Sequence, residues 1–166
     1  IIVLDRFMAV RNTIDLRKLG IVQAKAICQS YDNNIWVFDE MDAKIKKVDD
    51  NGKLLLESTD FRMLFDEVPN PSQMIDADCM LYLYNNKKGF TVFDYYGAMK
   101  GNHPFINWKD VQVQNKSLTG RDSLYFYRTQ PQQLQETRLK VNINMSNASK
   151  AMLNLNLLYV LKKDGL

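Results

Sequence analysis

Histidine is the side chain best suited to moving protons near neutral pH, and this chain has one, His103. A Ser-His-Asp triad would have to use it, yet it sits in Gly101-Asn102-His103-Pro104, which reads as a turn, and no Gly-x-Ser-x-Gly elbow occurs anywhere. A single imidazole also rules out a metal site built from clustered histidines. The acidic turns Asp39-Glu40-Met41-Asp42 and Asp49-Asp50-Asn51 lack the alternating spacing that aims carboxylates at one calcium ion, so they read as hairpin turns. The seven glycines are scattered, which leaves no phosphate-cradling loop. Cys28 and Cys79 are too few for a four-ligand zinc site or a disulfide framework; they read as two buried thiols or one bridge, and spacing does not decide between them. The expectation is a non-enzymatic chain without metal or cofactor.

Residues suited to contact are more plentiful. Eight aromatic side chains crowd between Tyr82 and Trp108. Tyr82 and Tyr84 fall in an apolar strand and read as core. Tyr95, Tyr96 and Trp108 fall in a turn and a connector, where aromatic rings serve as interface anchors. Lys87-Lys88 and Lys162-Lys163 recur in one kind of hairpin and Lys44 stands near the same place, so Lys44, Lys87 and Lys88 are candidates for meeting acidic or anionic groups.

The elements that must carry these residues are strands. Ile35-Trp36-Val37-Phe38 is a β-branched and aromatic run too short for a helix, bounded by turn residues on both sides. It is apolar on both faces, so other layers must cover it twice. Ile45 to Asp49 alternates, Asp49-Asp50-Asn51-Gly52 supplies a turn tolerant of positive φ, and Lys53 to Leu56 returns.

This unit repeats. The aspartates closing Ile1-Asp5, Ile45-Asp49 and Phe90-Asp94 are 44 and 45 residues apart. Ile35-Phe38 corresponds to Met80-Leu83, then to Ser123-Leu124-Tyr125-Phe126, and after a shorter gap to Leu158-Leu161. Several strands per unit at such a period are the signature of propeller blades, and the long helical stretches of other repeats are missing.

The expectation is therefore an all-β fold, a β-propeller of about three and a half four-stranded blades in one domain spanning 1–166. The outer half of one blade would cover 1–16, with full blades at 24–58, 72–101 and 110–143 and a further one opening at 148. Inner strands would be Ala24–Gln29, Gln73–Ala77, Asp110–Gln114 and Ala151–Leu155. In the third blade, Thr129-Gln130-Pro131-Gln132 would form a longer turn and Gln133 to Val141 the outer strands. Ser58-Thr59-Asp60 followed by Phe61, Leu64, Phe65 and Val68, with Pro69 as stop, predicts one short helix between blades. Because an open arc would expose unpaired edges, further blades are expected before Ile1, and Lys162-Lys163-Asp164-Gly165 should lead into another strand.

Composition agrees with a globular chain. A 46% apolar content is ample for a core, and no apolar run approaches the ~20 residues of a membrane-spanning helix. The +3 net charge, from 22 basic and 19 acidic residues, gives little reason to expect nucleic acid as partner.

The Asp32-Asn33-Asn34-Ile35-Trp36-Val37-Phe38-Asp39 segment, the Asp-Asn-Gly turn at 50–52 and Asp94-Tyr95-Tyr96-Gly97 together resemble bacterial six- to seven-bladed NHL-like propellers. Asp5-Arg6-Phe7-Met8 departs from that pattern by lacking the glycine. The resemblance implies a secreted or periplasmic interaction module, with another protein as partner in an envelope assembly, and implies no catalytic residue. The alternative is a propeller that binds or acts on carbohydrate through its central channel.

Overall fold

The computed structural model describes residues 1–130, 135–140, 145, 147–154 and 157–163. They form two compact units, 1–85 with 90–102, and 86–89 with 103–166. Among the described residues no helix is long and apolar enough to cross a membrane.

Strand order follows the repeat. β1 (Ile2–Leu4) and β2 (Val10–Thr13) pair alone. β3 (Ala24–Gln29), β4 (Ile35–Asp39), β5 (Lys44–Val48) and β6 (Leu54–Glu57) make one antiparallel sheet in sequence order. β7 (Gln73–Ala77), β8 (Met80–Asn85), β9 (Gly89–Phe93) and β10 (Met99–His103) make the next. β11 (Lys109–Gln114), β12 (Ser117–Arg121), β13 (Tyr125–Gln130) and β14 (Gln135–Lys140) form a third, and β15 (Ala148–Asn154) pairs with β16 (Leu157–Lys162).

β4 shows why the pattern folds this way. Trp36 and Phe38 point into a cluster with Ile45, Leu81, Leu83 and Phe93, while Val37 points the other way onto Ile14, Ile21 and Val48. Both faces are covered, as an apolar strand without a polar side requires. Tyr82 and Tyr84 on β8 are likewise buried. Between the sheets the connector contributes Phe61, fully buried, its ring stacked on Phe93 at 4.8 Å and near Phe38 at 6.2 Å. Burying one such ring stabilises the fold by about 1.5–3 kcal/mol. The expected helix is a single 3-10 turn, Phe61–Met63, capped by the Asp60 carboxylate on the Arg62 N–H. Phe65 and Val68 pack against the cluster from beyond that turn. A second 3-10 turn, Leu16–Leu19, has no counterpart among the expectations from sequence.

The repeated aspartate has a structural cause. Asp5, Asp49 and Asp94 each accept, through Oδ1, the backbone N–H groups two and four residues on, at 2.7–3.0 Å. Each turn then needs positive φ three residues after the aspartate: Gly52 (86°), Gly97 (87°) and, where the glycine is missing, Met8 (65°). A side chain in this region costs about 1–2 kcal/mol. Met8 is exposed, so little burial offsets that cost. Met8→Gly should therefore raise the unfolding free energy by about 0.5–1 kcal/mol after the added freedom of the unfolded chain is subtracted. Urea titration of the two proteins measures it, and an unchanged or lower midpoint would contradict the turn argument.

The third blade corrects the sequence reading. Its second strand is β12, Ser117–Arg121; Ser123 and Leu124 lie in the following turn, and Tyr125 and Phe126 open β13. β12 has no aromatic run because Trp108 supplies the bulk. A Cβ on Gly120 would lie 2.6 Å from the Trp108 ring, so the strand is kept thin where the indole lies on it. Asn115 and Lys116, both at positive φ, make the tight turn that places β12 early. Thr129 and Gln130 belong to β13 and not to a turn, and β14 alone occupies 135–140; Pro131 to Leu134 and Val141 lie outside the described residues. So do Leu155, Asp164 and Gly165, whereas Lys162 ends β16 and Lys163 lies in the turn after it.

Candidate functional site

The first unit gathers a polar and aromatic group where β3 meets β7. Asp76, on β7, accepts from Ser30 Oγ and Trp36 Nε1 at its Oδ2, both at 2.9 Å, and from the Tyr95 hydroxyl at its Oδ1, 2.6 Å. Ser30 and Trp36 are buried, so the carboxylate satisfies two donors with little access to water. No lysine or arginine pairs with Asp76 among the described residues.

Around this carboxylate lies a cleft of about 530 Å³. Tyr31 and Tyr95, ring centroids 5.9 Å apart and tilted by only 13°, form its aromatic wall; Asn33, Asp78 and Cys79 line it from the neighbouring turns. Asp78 and Cys79 make the two-residue β7–β8 turn, both at positive φ, which sets their side chains at the rim.

Lys47 stands beside the same rings without lining the cleft. It pairs across strands with Trp36, which puts its ammonium 4.8 Å from the indole and 5.6 and 5.7 Å from the Tyr31 and Tyr95 rings. The Asp32 carboxylate closes the pair at 2.6 Å. Slight desolvation of Asp32 is outweighed by the Lys47 hydrogen bond, which with those of Ser30 and Asn34 brings its carboxyl down to about 2.

Two groups close to Asp76 are held protonated by burial and by its charge. Burial, followed by the negative charge of Asp76, pushes the half-buried Cys28 thiol up to about 12, so it stays protonated at neutral pH. Burial and the Asp76 hydrogen bond also hold the Tyr95 hydroxyl well above its ordinary range. Both cysteines are free, and Cys79 is exposed, contrary to the expectation of two buried thiols.

The candidates from sequence are placed as follows. Tyr95 belongs to the cleft, and Tyr96, the next residue in the chain, is 84% exposed and does not line it. Trp108 is removed from the contact set: it is 7% exposed, stacked between Phe105 at 4.9 Å and Tyr127 at 5.4 Å. Lys44 opens β5 and is engaged by Glu57. Lys87 and Lys88 are exposed in the β8–β9 turn. His103 ends β10, half-buried, with burial lowering its pKa, and its ring lies 6.3 Å from Phe105. Asp76, Tyr31, Lys47 and Asp32 are not singled out by sequence; Tyr31, an aromatic residue directly before an Asp-Asn-Asn turn, is the one available signal.

No family model matches the chain, and neither does any curated protein. Solved structures do match. The chain is similar to PorZ, an essential bacterial surface component of the type-IX secretion system of Porphyromonas gingivalis, with TM-score 0.59 and 15% identity over 89% of this chain and 21% of PorZ. It is similar to a streptogramin B lyase (TM-score 0.52, 13% identity, 87% of this chain and 54% of the lyase) and to the computationally designed Ika4 protein (TM-score 0.50, 14% identity, 86% and 87%). The fold is that of a β-propeller. Three four-stranded blades and two two-stranded part-blades are seen among the described residues. The chain spans about half the length of the lyase and about a fifth of PorZ.

Proposed function

We propose that this propeller is a non-enzymatic docking module that binds another protein through the turns around the Tyr31–Tyr95 cleft, within an extracytoplasmic envelope assembly. One observation carries the reading. Tyr31, which lines the cleft, and Tyr96, which follows Tyr95 in the chain, are 75% and 84% exposed on turns held by hydrogen bonds, which is how a rigid fold presents anchors. The likeness to PorZ, a surface component of a secretion system, supports the extracytoplasmic setting. A catalytic reading has less support, because Asp76 is engaged by three donors and the Cys28 thiol is held protonated.

Affinity capture from the native envelope fraction, comparing the parent chain with Tyr31→Ala/Tyr96→Ala, tests this. The variant is expected to lose at least tenfold of the captured partner while its unfolding midpoint shifts little, since both rings are mostly solvated. Equal capture by both proteins would remove the cleft from the reading, and binding of oligosaccharide in place of protein would favour the carbohydrate alternative.

A further inference from the structure

We propose that a second cleft, at the end of the β11–β14 sheet where Arg128 stands, is a binding site for a carboxylate. It lies wholly in the second unit and does not rest on the docking reading of the Tyr31–Tyr95 cleft.

The first argument is an arginine left without a partner. Three arginines stand in this sheet. Arg121 is buried and donates through Nε to Asp110 at 2.6 Å, and Arg138 lies over the Tyr127 ring. Arg128, half-buried on β13, has no ion pair, ring contact or side-chain hydrogen bond among the described residues. The positions directly across from it, where a sheet sets a complementary charge, hold Thr119 on β12 and Thr137 on β14. Glu136, the acid of β14, is registered with Thr129 instead. A guanidinium drawn part-way out of water with no counter-charge adds nothing to stability, so its charge is left for a ligand.

The cleft itself is the second argument. It encloses about 400 Å³ and is lined, besides Arg128, by Asn115, Ser117, Gln130 and Thr137. Asn115 sits at positive φ in the tight β11–β12 turn, and Ser117, 1% exposed, opens β12. All four are neutral, and each can both donate and accept. One planar fork supplies one positive charge and parallel N–H groups, which match one carboxylate. A dianion such as phosphate would keep a charge unmatched, since no second cation lines the cleft. The neutral groups remain to meet amides or hydroxyls on the rest of the ligand.

Charge distribution is the third. The second unit carries eleven lysines and arginines against four aspartates and glutamates, whereas the first carries eleven against fifteen. The small net charge of the chain thus hides a basic half, whose field favours anions near Arg128.

The test uses the whole chain and five probes: end-blocked Gly-Glu-Gly against end-blocked Gly-Gln-Gly, gluconate against sorbitol, and inorganic phosphate. Binding is read from the NMR shifts of the Ser117 and Arg128 amides. At least one carboxylate is expected to bind about tenfold more tightly than its uncharged counterpart, and more tightly than phosphate. The tighter of the two identifies the source, an acidic peptide side chain or a free hydroxy acid. Arg128→Gln should abolish the preference for the charged probe, and Arg128→Lys, which keeps the charge without the fork, should retain part of it. Because Arg128 has no partner to lose, the unfolding midpoint of Arg128→Gln should equal or exceed that of the parent. The proposal is overturned if neither carboxylate outdoes its counterpart, if phosphate binds most tightly, or if the preference survives Arg128→Gln. A clear drop in that variant's midpoint would overturn it too, by showing that the arginine serves the fold.

Discussion

Replacing Lys46 with methionine should lower the free energy of unfolding at pH 7 by about 3–5 kcal/mol, the cost of stranding a buried partner charge. Lys46 is 1% exposed and Asp39 is 0% exposed. The ammonium donates to Asp39 Oδ2 at 3.0 Å, to the Gly20 carbonyl at 3.1 Å and to Asp42. Asp39 in turn accepts from the backbone N–H groups of Val22, Gln23 and Met41, so it ties the chain entering β3 to the β4–β5 turn. Methionine preserves the stem and removes the charge, leaving a buried carboxylate with backbone donors alone. Asp39→Ala should cost at least as much, because it orphans three backbone N–H groups and leaves the buried ammonium with only the Gly20 carbonyl and the half-exposed Asp42. Asp42, whose side chain is 39% exposed, can be replaced by water, and Asp42→Ala should cost far less.

The pH dependence follows from the same pair. Burial alone would raise the Asp39 pKa, but hydrogen bonds from Lys46 and the Gln23 N–H carry it below the ordinary carboxylate range. Burial alone would lower the Lys46 pKa, but hydrogen bonds to Asp42 and Asp39 carry it above the ordinary range. A depressed acid contributes stability above its unfolded pKa and loses it as pH falls through the folded value; a raised base contributes below its unfolded pKa and loses it as pH rises through the folded value. The pair therefore stabilises fully between about pH 4 and about pH 10.5. Lys46→Met should move the acid unfolding transition to higher pH, since Asp39 no longer has its cation. Chemical denaturation at pH 7 and pH 4.5 reads both effects, and a variant within about 1 kcal/mol of the parent would show that the pair contributes nothing net.

This pair also marks the boundary of what the sequence discloses. The turn aspartates Asp5, Asp49 and Asp94 are legible because all their partners lie within four residues, so period and chemistry coincide along the chain. The two-sided burial of Trp36, Val37 and Phe38 is legible because side-chain type alone demands it. Lys46 reads as solvated because it alternates with Ile45 in a strand, and its burial depends on Gly20, Asp39 and Asp42, brought together by tertiary packing. β12 escapes a sequence reading for a similar reason, its missing bulk being supplied by Trp108 from the preceding connector. In the cleft, Tyr95 and Tyr96 are visible as aromatic turn residues. Asp76 is not, since its donors come from Ser30, Trp36 and Tyr95, two of them more than thirty residues away.

Asp76→Ala should cost about 2–6 kcal/mol, the sum of two buried donors left unmet at about 1–3 kcal/mol each. Trp36, 1% exposed, and Ser30, 4% exposed, cannot turn to water without opening the seam between β3 and β7, whereas the Tyr95 hydroxyl can. Asp76→Asn should fall between, because its amide keeps an acceptor but points an N–H₂ toward groups that are themselves donors. Stability alone would not separate the carboxylate's charge from its shape, but the neighbouring acids do. Tyr95 is raised by burial, by its hydrogen bond to Asp76 and by the Asp76 charge, so both variants should bring its ionisation back toward the ordinary phenol range, visible as a tyrosinate absorbance step at lower pH. Cys28 is raised first by burial and only then by Asp76, so its thiol should come down less and stay protonated at pH 7. A Tyr95 step that does not move when the carboxylate is removed would mean that the Asp76 charge is not felt at the Tyr95 hydroxyl.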